Sequence, residues 1–391
     1  MQKSTISMLS IGLGALTLCA PLAGNAYYCS AHTNNNESVL STLDIKAKSC
    51  VLMDKASGKV LLAKNENESL PMASMTKMMT LLLVMEEIDS GRLNLNDSTR
   101  ISEYAASMEG SECFLDAGKD YKISELIKSV VVASANDSTV ALAECVSGSE
   151  EMFTVRMNER AIELGLTNTK FKNSTGLDES GHKSSARDMA ILIKEVSRYE
   201  ILEDLSKVWM FDMEHSGGRV TNLTNTNRLI RTNPDIVFAK TGHTDGAGYC
   251  ITALGERDGM ELIACVMGEP DSKTRFSDAT KLLNYGFSNY SLKEVVDGDV
   301  SVGKVTVKNG KIKEIDAYSS SDINLLVVKN EEGNARVEVN LLPEIDAPVK
   351  VGDILGEVKV YRDDEIYSSP VESRTAVEER GVKDIMQELM N

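Results

Sequence analysis

Ser74 and Lys77 stand three residues apart in Pro71-Met72-Ala73-Ser74-Met75-Thr76-Lys77, where an almost wholly apolar run from Met75 to Ile88 begins. Residues three apart on a helix share a face, so a hydroxyl and an amine at this spacing can touch. A serine in the first turn also sits beside backbone N–H groups that have no partner inside the helix. Two more short motifs follow in order: Ser134-Ala135-Asn136, in a break between helical runs, and Lys240-Thr241-Gly242, closing the apolar run Ile236-Val237-Phe238-Ala239. The Ser-x-x-Lys spacing recurs at Ser180 to Lys183 and Ser301 to Lys304, so it is weak alone, but the other two motifs occur once each. Together they describe acyl transfer to a serine. Burial and a second cation, Lys240, would lower the ammonium pKa of Lys77 and make it a base for Ser74. Ser134 can then relay a proton to the leaving amine while Asn136 donates to a substrate carbonyl. Lys240 and Thr241 at the strand end suit a carboxylate, and Gly242 and His243 complete the substrate-binding set. The backbone N–H groups of Ser74 and His243 would serve the oxyanion if substrate lies along the strand. Each residue has a plainer reading by itself, as a helix cap, a surface lysine, a loop asparagine or a turn. Their joint occurrence does not.

Such chemistry needs a buried helix start, a helix break and a strand end in one place. Val51-Leu52-Met53-Asp54 and Val60-Leu61-Leu62-Ala63 flank a Ser57-Gly58 turn and read as a hairpin. The run from Met75 to Ile88 is apolar nearly all round, which marks a central buried helix. Further helical runs cover Ile123 to Val132, Val140 to Val146, Met152 to Leu164 and Thr274 to Phe287; Ser185 with Asp188 forms a capping box for a helix through Val196. Ile236 to Met267 is strand-like, with Asp258-Gly259 as a two-residue hairpin turn. That turn pairs Arg257 with Met260 and sets Cys250 opposite Met267 and Cys265 opposite Thr252. The two cysteines are then diagonal neighbours, packed as small hydrophobes and not bonded. Residues 48–290 thus form a mixed α/β domain whose antiparallel sheet is flanked by helices. Val300–Val302, Val305–Val307, Ile323–Val328, Arg336–Val339 and Val358–Tyr361 make residues 291–373 a small all-β module. Residues 374–391 form a tail in which Val382, Ile385, Met386, Leu389 and Met390 share one helical face. Docking on the protein and contact with a membrane surface both stay open for it.

The chain has 391 residues, 42% of them hydrophobic, which is ample for a buried core and excludes a disordered chain. Lys and Arg number 42 against 59 Asp and Glu, a net charge of −17 that repels phosphate backbones and excludes nucleic acid as a partner. The 4 histidines lie far apart, so no metal site is expected. Lys3, the apolar stretch Ile6 to Leu22 and Gly24-Asn25-Ala26 read as a signal peptide over residues 1–26. The protein is therefore expected outside the cytoplasm, at the wall or the outer face of the membrane. Residues 27–47 are polar and read as a flexible leader. Loss of Cys19 with the signal leaves Cys29, Cys50, Cys113, Cys145, Cys250 and Cys265, at spacings that do not define a disulfide framework.

The trio resembles that of the penicillin-binding proteins and class A β-lactamases, with Ala135 where Asp is usual. The longer strings Leu70-Pro71-Met72-Ala73-Ser74-Met75-Thr76-Lys77, Ser134-Ala135-Asn136-Asp137, Ser184-Ser185-Ala186-Arg187-Asp188-Met189-Ala190 and Lys240-Thr241-Gly242-His243-Thr244 narrow this. On them the chain resembles the low-molecular-mass penicillin-binding proteins, the serine D-alanyl-D-alanine carboxypeptidases, over about residues 45–290, and its β module resembles their C-terminal domain. The resemblance implies a DD-peptidase fold and a Ser74 acyl-enzyme. Its substrate would be the peptidoglycan pentapeptide stem, which loses its terminal D-alanine; β-lactams would be covalent inhibitors, with no cofactor. It also implies that His243 contributes mainly backbone. Two rivals use the same residues. A class A-like β-lactamase needs a carboxylate poised for deacylation, for which Asp178, Glu179 and Asp188 are present outside a Glu-x-x-x-Asn pattern. A catalytically weak penicillin-sensing or wall-binding protein would keep only the fold. Gly110-Ser111 as a loop over the site, and Asn225, Thr226 and Asn227 as cleft lining, are weighed against plain turns; Arg187 and Cys113 read as structural.

Overall fold

The strand Met260–Glu269 is apolar almost throughout because both of its faces are covered. The structure, a computed structural model describing residues 33–330, 335–362, 365–382 and 386, sets this strand in the middle of a five-stranded sheet. The order is Val60–Lys64, Ser49–Asp54, Met260–Glu269, Gly248–Arg257, Ile236–Thr244, every neighbour antiparallel, so Ile236–Thr244 is an edge strand. Successive side chains of a strand point to opposite faces. Val51, Met53, Ile263 and Cys265 accordingly enter the core shared with the helices that carry Ser74 and Ser134. Cys50, Leu52, Leu262, Ala264 and Val266 enter a second core closed by the helix Ser272–Asn289.

The central helix Lys77–Asp89 buries ten of its thirteen residues, which is why its sequence shows so little polar face. A 3₁₀ turn, Ala73–Thr76, precedes it. Around it stand Ile123–Ala133, Asn136–Ser147, Glu150–Glu163 and Ala186–Val196. The last opens with Ser185 Oγ accepting from the Asp188 N–H at 3.2 Å, the cap anticipated from sequence. The segment read as a flexible leader departs from expectation: Thr33–Thr42 is a helix, and Leu40, Ile45 and Ala47 are buried in the second core. Its apolar residues are too few to signal a helix but enough to cover a sheet edge.

The Asp258-Gly259 hairpin pairs Arg257 with Met260 and Thr252 with Cys265. It does not hold Cys250 opposite Met267. An irregularity between Tyr249 and Ile251 shifts the register by one, with Gly268 at φ +73° in the displaced stretch. Cys50, Cys113, Cys145, Cys250 and Cys265 are all free thiols. Cys29 and the signal segment lie outside the described residues.

After Asn289 the chain forms eight strands among the described residues, in sheets of two and six with their own core of Val305, Val307, Leu355, Val358, Val360 and Val371. Glu314–Ser319 and Glu365–Ser373 were not legible as strands because one face of each is solvated and polar. Val302 and Val305–Val307 belong to one strand, Ser301–Lys308, which leaves Val300 just before it. Of the proposed tail helix only Val382 and Met386 lie among the described apolar residues, and both are exposed. No helix of the described residues is long and apolar enough to cross a membrane.

One buried acid gives this fold a pH dependence. Glu269 is 1% exposed, and neither carboxylate oxygen meets an N–H or hydroxyl donor; its polar neighbour is the Asp278 carboxylate, with which it can share a proton. Burial, reinforced by the nearby Asp278 carboxylate, pushes its carboxyl well up. A raised pKa means that the folded chain holds a proton the unfolded chain has released, so stability is lost as pH rises above the ordinary carboxylate range. Between pH 5 and pH 8 the Tm should fall by about 2–4 °C for each kcal/mol lost, and Glu269→Gln should flatten that slope. Equal slopes in thermal melts of both proteins would show that Glu269 is ionised throughout.

Candidate active site

Ser74 owes its position to two glycines. Its 3₁₀ turn begins at Ala73, which has φ +49°. A Cβ on Gly176 would lie 2.0 Å from the Ala73 carbonyl oxygen, and one on Gly242 would lie 2.7 Å from that of Met72. The turn is thus clamped between a loop and the edge strand, and no larger residue fits at either place. Lys77, the first residue of the following helix, reaches back to Ser74 with Nζ 3.0 Å from Oγ. The same Nζ donates to Asn136 Oδ1 at 2.7 Å and to the Thr175 carbonyl at 2.6 Å. Lys77 is fully buried; burial first, then repulsion from Lys240, lowers its ammonium pKa far below the ordinary value, against the pull of Asp137 and Glu150.

Ser134 is the left-handed cap (φ 62°) of the helix Ile123–Ala133, so its side chain leaves the helix toward the sheet. Lys240 Nζ donates to Ser134 Oγ at 2.7 Å and to the Thr241 carbonyl at 3.1 Å. Burial, with repulsion from Arg275, lowers the Lys240 ammonium to about 7. Lys240 therefore engages Ser134 and the Thr241 carbonyl, and the third N–H of its ammonium has no partner among the described hydrogen bonds. Asn136 is more tightly held than its sequence implied. Its Oδ1 accepts from Lys77 and its Nδ2 donates to the Glu109 carbonyl at 2.6 Å, while the Asn136 N–H donates to the Ser111 carbonyl at 2.6 Å. Gly110-Ser111 thus forms a loop against Asn136.

Along the edge strand, Thr241 Oγ1 donates to Thr226 Oγ1 at 3.0 Å. His243 is exposed and its ring stacks on Tyr249 with centroids 3.9 Å apart, so its backbone is the part that belongs to the strand. Arg275 reaches under the strand and donates to the carbonyls of Gly242 at 3.0 Å and Cys250 at 3.3 Å. Sequence reading missed Arg275; a single arginine in a helix carries no local signal of what it reaches. Asn225 and Thr226 line the cleft, whereas Asn227 does not; the buried Asn225 and Asn227 also brace the loop through their own backbone contacts.

The remaining candidates are structural. Cys113 is buried with Sγ 3.0 Å from Ser138 Oγ, and burial pushes its thiol up. Asp178 accepts from Thr244 Oγ1 at 2.6 Å, Asp188 from Thr169 Oγ1 at 2.7 Å, and Glu179 from Asn173 Nδ2 at 3.3 Å. None of the three touches Ser74 or Lys77 among the described hydrogen bonds. His182 was not singled out; its Nδ1 accepts from the Lys172 N–H, leaving Nε2 to donate to Thr76 Oγ1, and burial lowers its pKa to about 4.

Known proteins share this architecture over nearly its whole length. The profile described as D-alanyl-D-alanine carboxypeptidase matches residues 33–271, and that of the penicillin-binding protein 5 C-terminal domain matches residues 290–379. The D-alanyl-D-alanine carboxypeptidase DacF of Bacillus subtilis is 41% identical over 382 residues, spanning 97% of this chain and 96% of its own. DacC of Escherichia coli is 31% identical over 366 residues, 91% of this chain and 88% of its own. The crystal structure of penicillin binding protein 5 from Haemophilus influenzae superposes with a TM-score of 0.67 at 30% identity, covering 86% of this chain and 98% of that one. On these matches the chain belongs to the D-alanyl-D-alanine carboxypeptidase family, and its enzyme class is that of the serine-type D-Ala-D-Ala carboxypeptidases.

Proposed function

We propose that the chain is an exported wall enzyme that releases the terminal D-alanine of peptidoglycan pentapeptide stems through an acyl-enzyme on Ser74, and that penicillins acylate the same serine. The observation that carries this reading is the set of partners around Lys77. An ammonium has three N–H bonds, and its three partners are Ser74 Oγ, Asn136 Oδ1 and the Thr175 carbonyl. The last two can only accept. Once the buried amine is neutral, its lone pair can meet only one donor, the Ser74 hydroxyl. Lys77 then takes the serine proton as Oγ attacks the carbonyl of the penultimate residue. Ser134, held by Lys240, passes a proton to the departing amine, and water later releases the acyl group. Asn136 Nδ2 has a second hydrogen for the substrate's amide carbonyl.

The carbonyls of Gly242 and Cys250 both accept from Arg275, which sets the polar groups of that pair between their two strands. The N–H of His243, one residue on, then faces the open sheet edge, where it joins the Ser74 N–H at the oxyanion. Export, penicillin acylation and the signal peptide belong to the proposal, as does any contact of the tail with a membrane surface.

Thr241 supplies the test of substrate choice. Its hydroxyl, once turned from Thr226 to the substrate, and the neighbouring backbone donors suit a terminal carboxylate, and charge-assisted hydrogen bonds contribute about 1.5–3 kcal/mol each. Converting the terminal D-Ala carboxylate to its amide should lower kcat/KM by about 10–100-fold, and Thr241→Val should narrow that acid-to-amide ratio. Both ratios come from matched peptides followed by mass spectrometry of released D-alanine. Equal rates on acid and amide would defeat the carboxypeptidase reading and point to cleavage within cross-links.

A further inference from the structure

Arg228, Arg231 and Arg275 line one cleft of about 690 Å³ together with Trp209, Thr226 and Ser272. None of these guanidiniums joins an ion pair among the described residues, although the chain carries a net charge of −17. Arg275 forms the floor. It is 6% exposed, donates to two strand carbonyls and to Ser272 Oγ, and leaves Nε without a partner. Burial, with repulsion from Arg228, lowers its guanidinium to about 10. Arg231 lies over the Trp209 ring, 4.8 Å from its centroid. Arg228 and Arg231 sit on the short turn Arg228–Arg231, which is braced by Asn227 Oδ1 accepting from the Leu229 N–H. Asp271, on the adjoining wall, is engaged in capping the next helix through Thr274. Three cations in a preformed, braced cleft with no carboxylate to neutralise them call for an anion.

Thr226 says where that anion belongs. It lines the cleft and its Oγ1 accepts from Thr241, so the cleft opens beside the terminal-carboxylate position. We propose that this cleft is a subsite for an anionic side chain on the leaving residue, so that the enzyme accepts a D-amino acid bearing a second carboxylate in place of the terminal D-alanine. This rests on the carboxypeptidase reading of Thr241 given above.

The test uses two acylated dipeptide ends of equal shape and different charge, D-Ala-D-Glu and D-Ala-D-Gln. The wild-type protein should favour the D-Glu peptide by about tenfold in kcat/KM, and the preference should shrink as salt is raised. Arg228→Gln/Arg231→Gln should bring the ratio near unity, while Arg231→Lys, which keeps the charge, should retain most of it. Trp209 is the only tryptophan of the chain, so its fluorescence reports binding without turnover. In the Ser74→Ala protein the D-Glu peptide should titrate about tenfold more tightly than the D-Gln peptide. Selectivity in either readout that the double variant loses upholds the proposal. Equal behaviour of the two peptides in both readouts, or selectivity that survives the double variant, overturns it. Selective binding without any cleavage would sink the carboxypeptidase reading and leave the subsite standing; cleavage without selectivity would do the reverse.

Discussion

Ser74→Ala is expected to abolish D-alanine release and penicillin adduct formation together, with kcat reduced on the order of 10⁴–10⁶-fold. Only a hydroxyl is removed, from a half-buried position where it accepts from Lys77 Nζ. Lys77 keeps two acceptors, Asn136 Oδ1 and the Thr175 carbonyl, so no buried cation is stranded and the thermal melt should barely move. Intact-protein mass after incubation with penicillin is the direct readout. A normal adduct on the alanine protein would remove Ser74 from the mechanism. In the wild-type protein the lifetime of the adduct also separates the family's chemistry from that of a lactamase: slow loss fits a site in which Asp178, Glu179 and Asp188 are all bound elsewhere.

Lys77→Arg keeps the positive charge and removes the ability to shed a proton near neutral pH, so acylation should fall by about 10²–10⁴-fold. The wild-type rate should decline as pH drops through the pKa of Lys77, because only the neutral amine accepts the Ser74 proton. Burial and Lys240 hold that pKa well below the usual lysine range, so the acid limb of a pH–rate profile should lie below that range as well. Lys77 is fully buried, and the larger guanidinium can disturb packing. Lys77→Gln, smaller and unable to act as a base, therefore accompanies it, with a melt of each. Wild-type acylation by a folded Lys77→Arg or Lys77→Gln protein would make Lys77 merely electrostatic.

Local periodicity and turn chemistry were legible in the amino-acid sequence because they depend on neighbours a few residues away. The three-residue spacing of Ser74 and Lys77, the Ser185 cap and the Asp258-Gly259 hairpin with its Arg257–Met260 pair are of this kind. Buried strands also announced themselves, since Leu262 to Met267 must satisfy two cores at once. Other features had no such signature. The helix Thr33–Thr42 is held by packing that its polar sequence does not advertise, and the shift at Tyr249 arises from how two strands meet, not from a turn signal. The orientation of Lys77 depends on the carbonyl of Thr175, 98 residues away, and every residue has a carbonyl. Arg275 meets Gly242 across 33 residues, and Thr226 meets Thr241 across 15, through contacts that only the folded sheet edge creates. Residue types and short spacings named the candidate reacting groups; the packing of the edge strand against the 3₁₀ turn decided which of them touch, because burial and close approach belong to the whole chain and not to any motif within it.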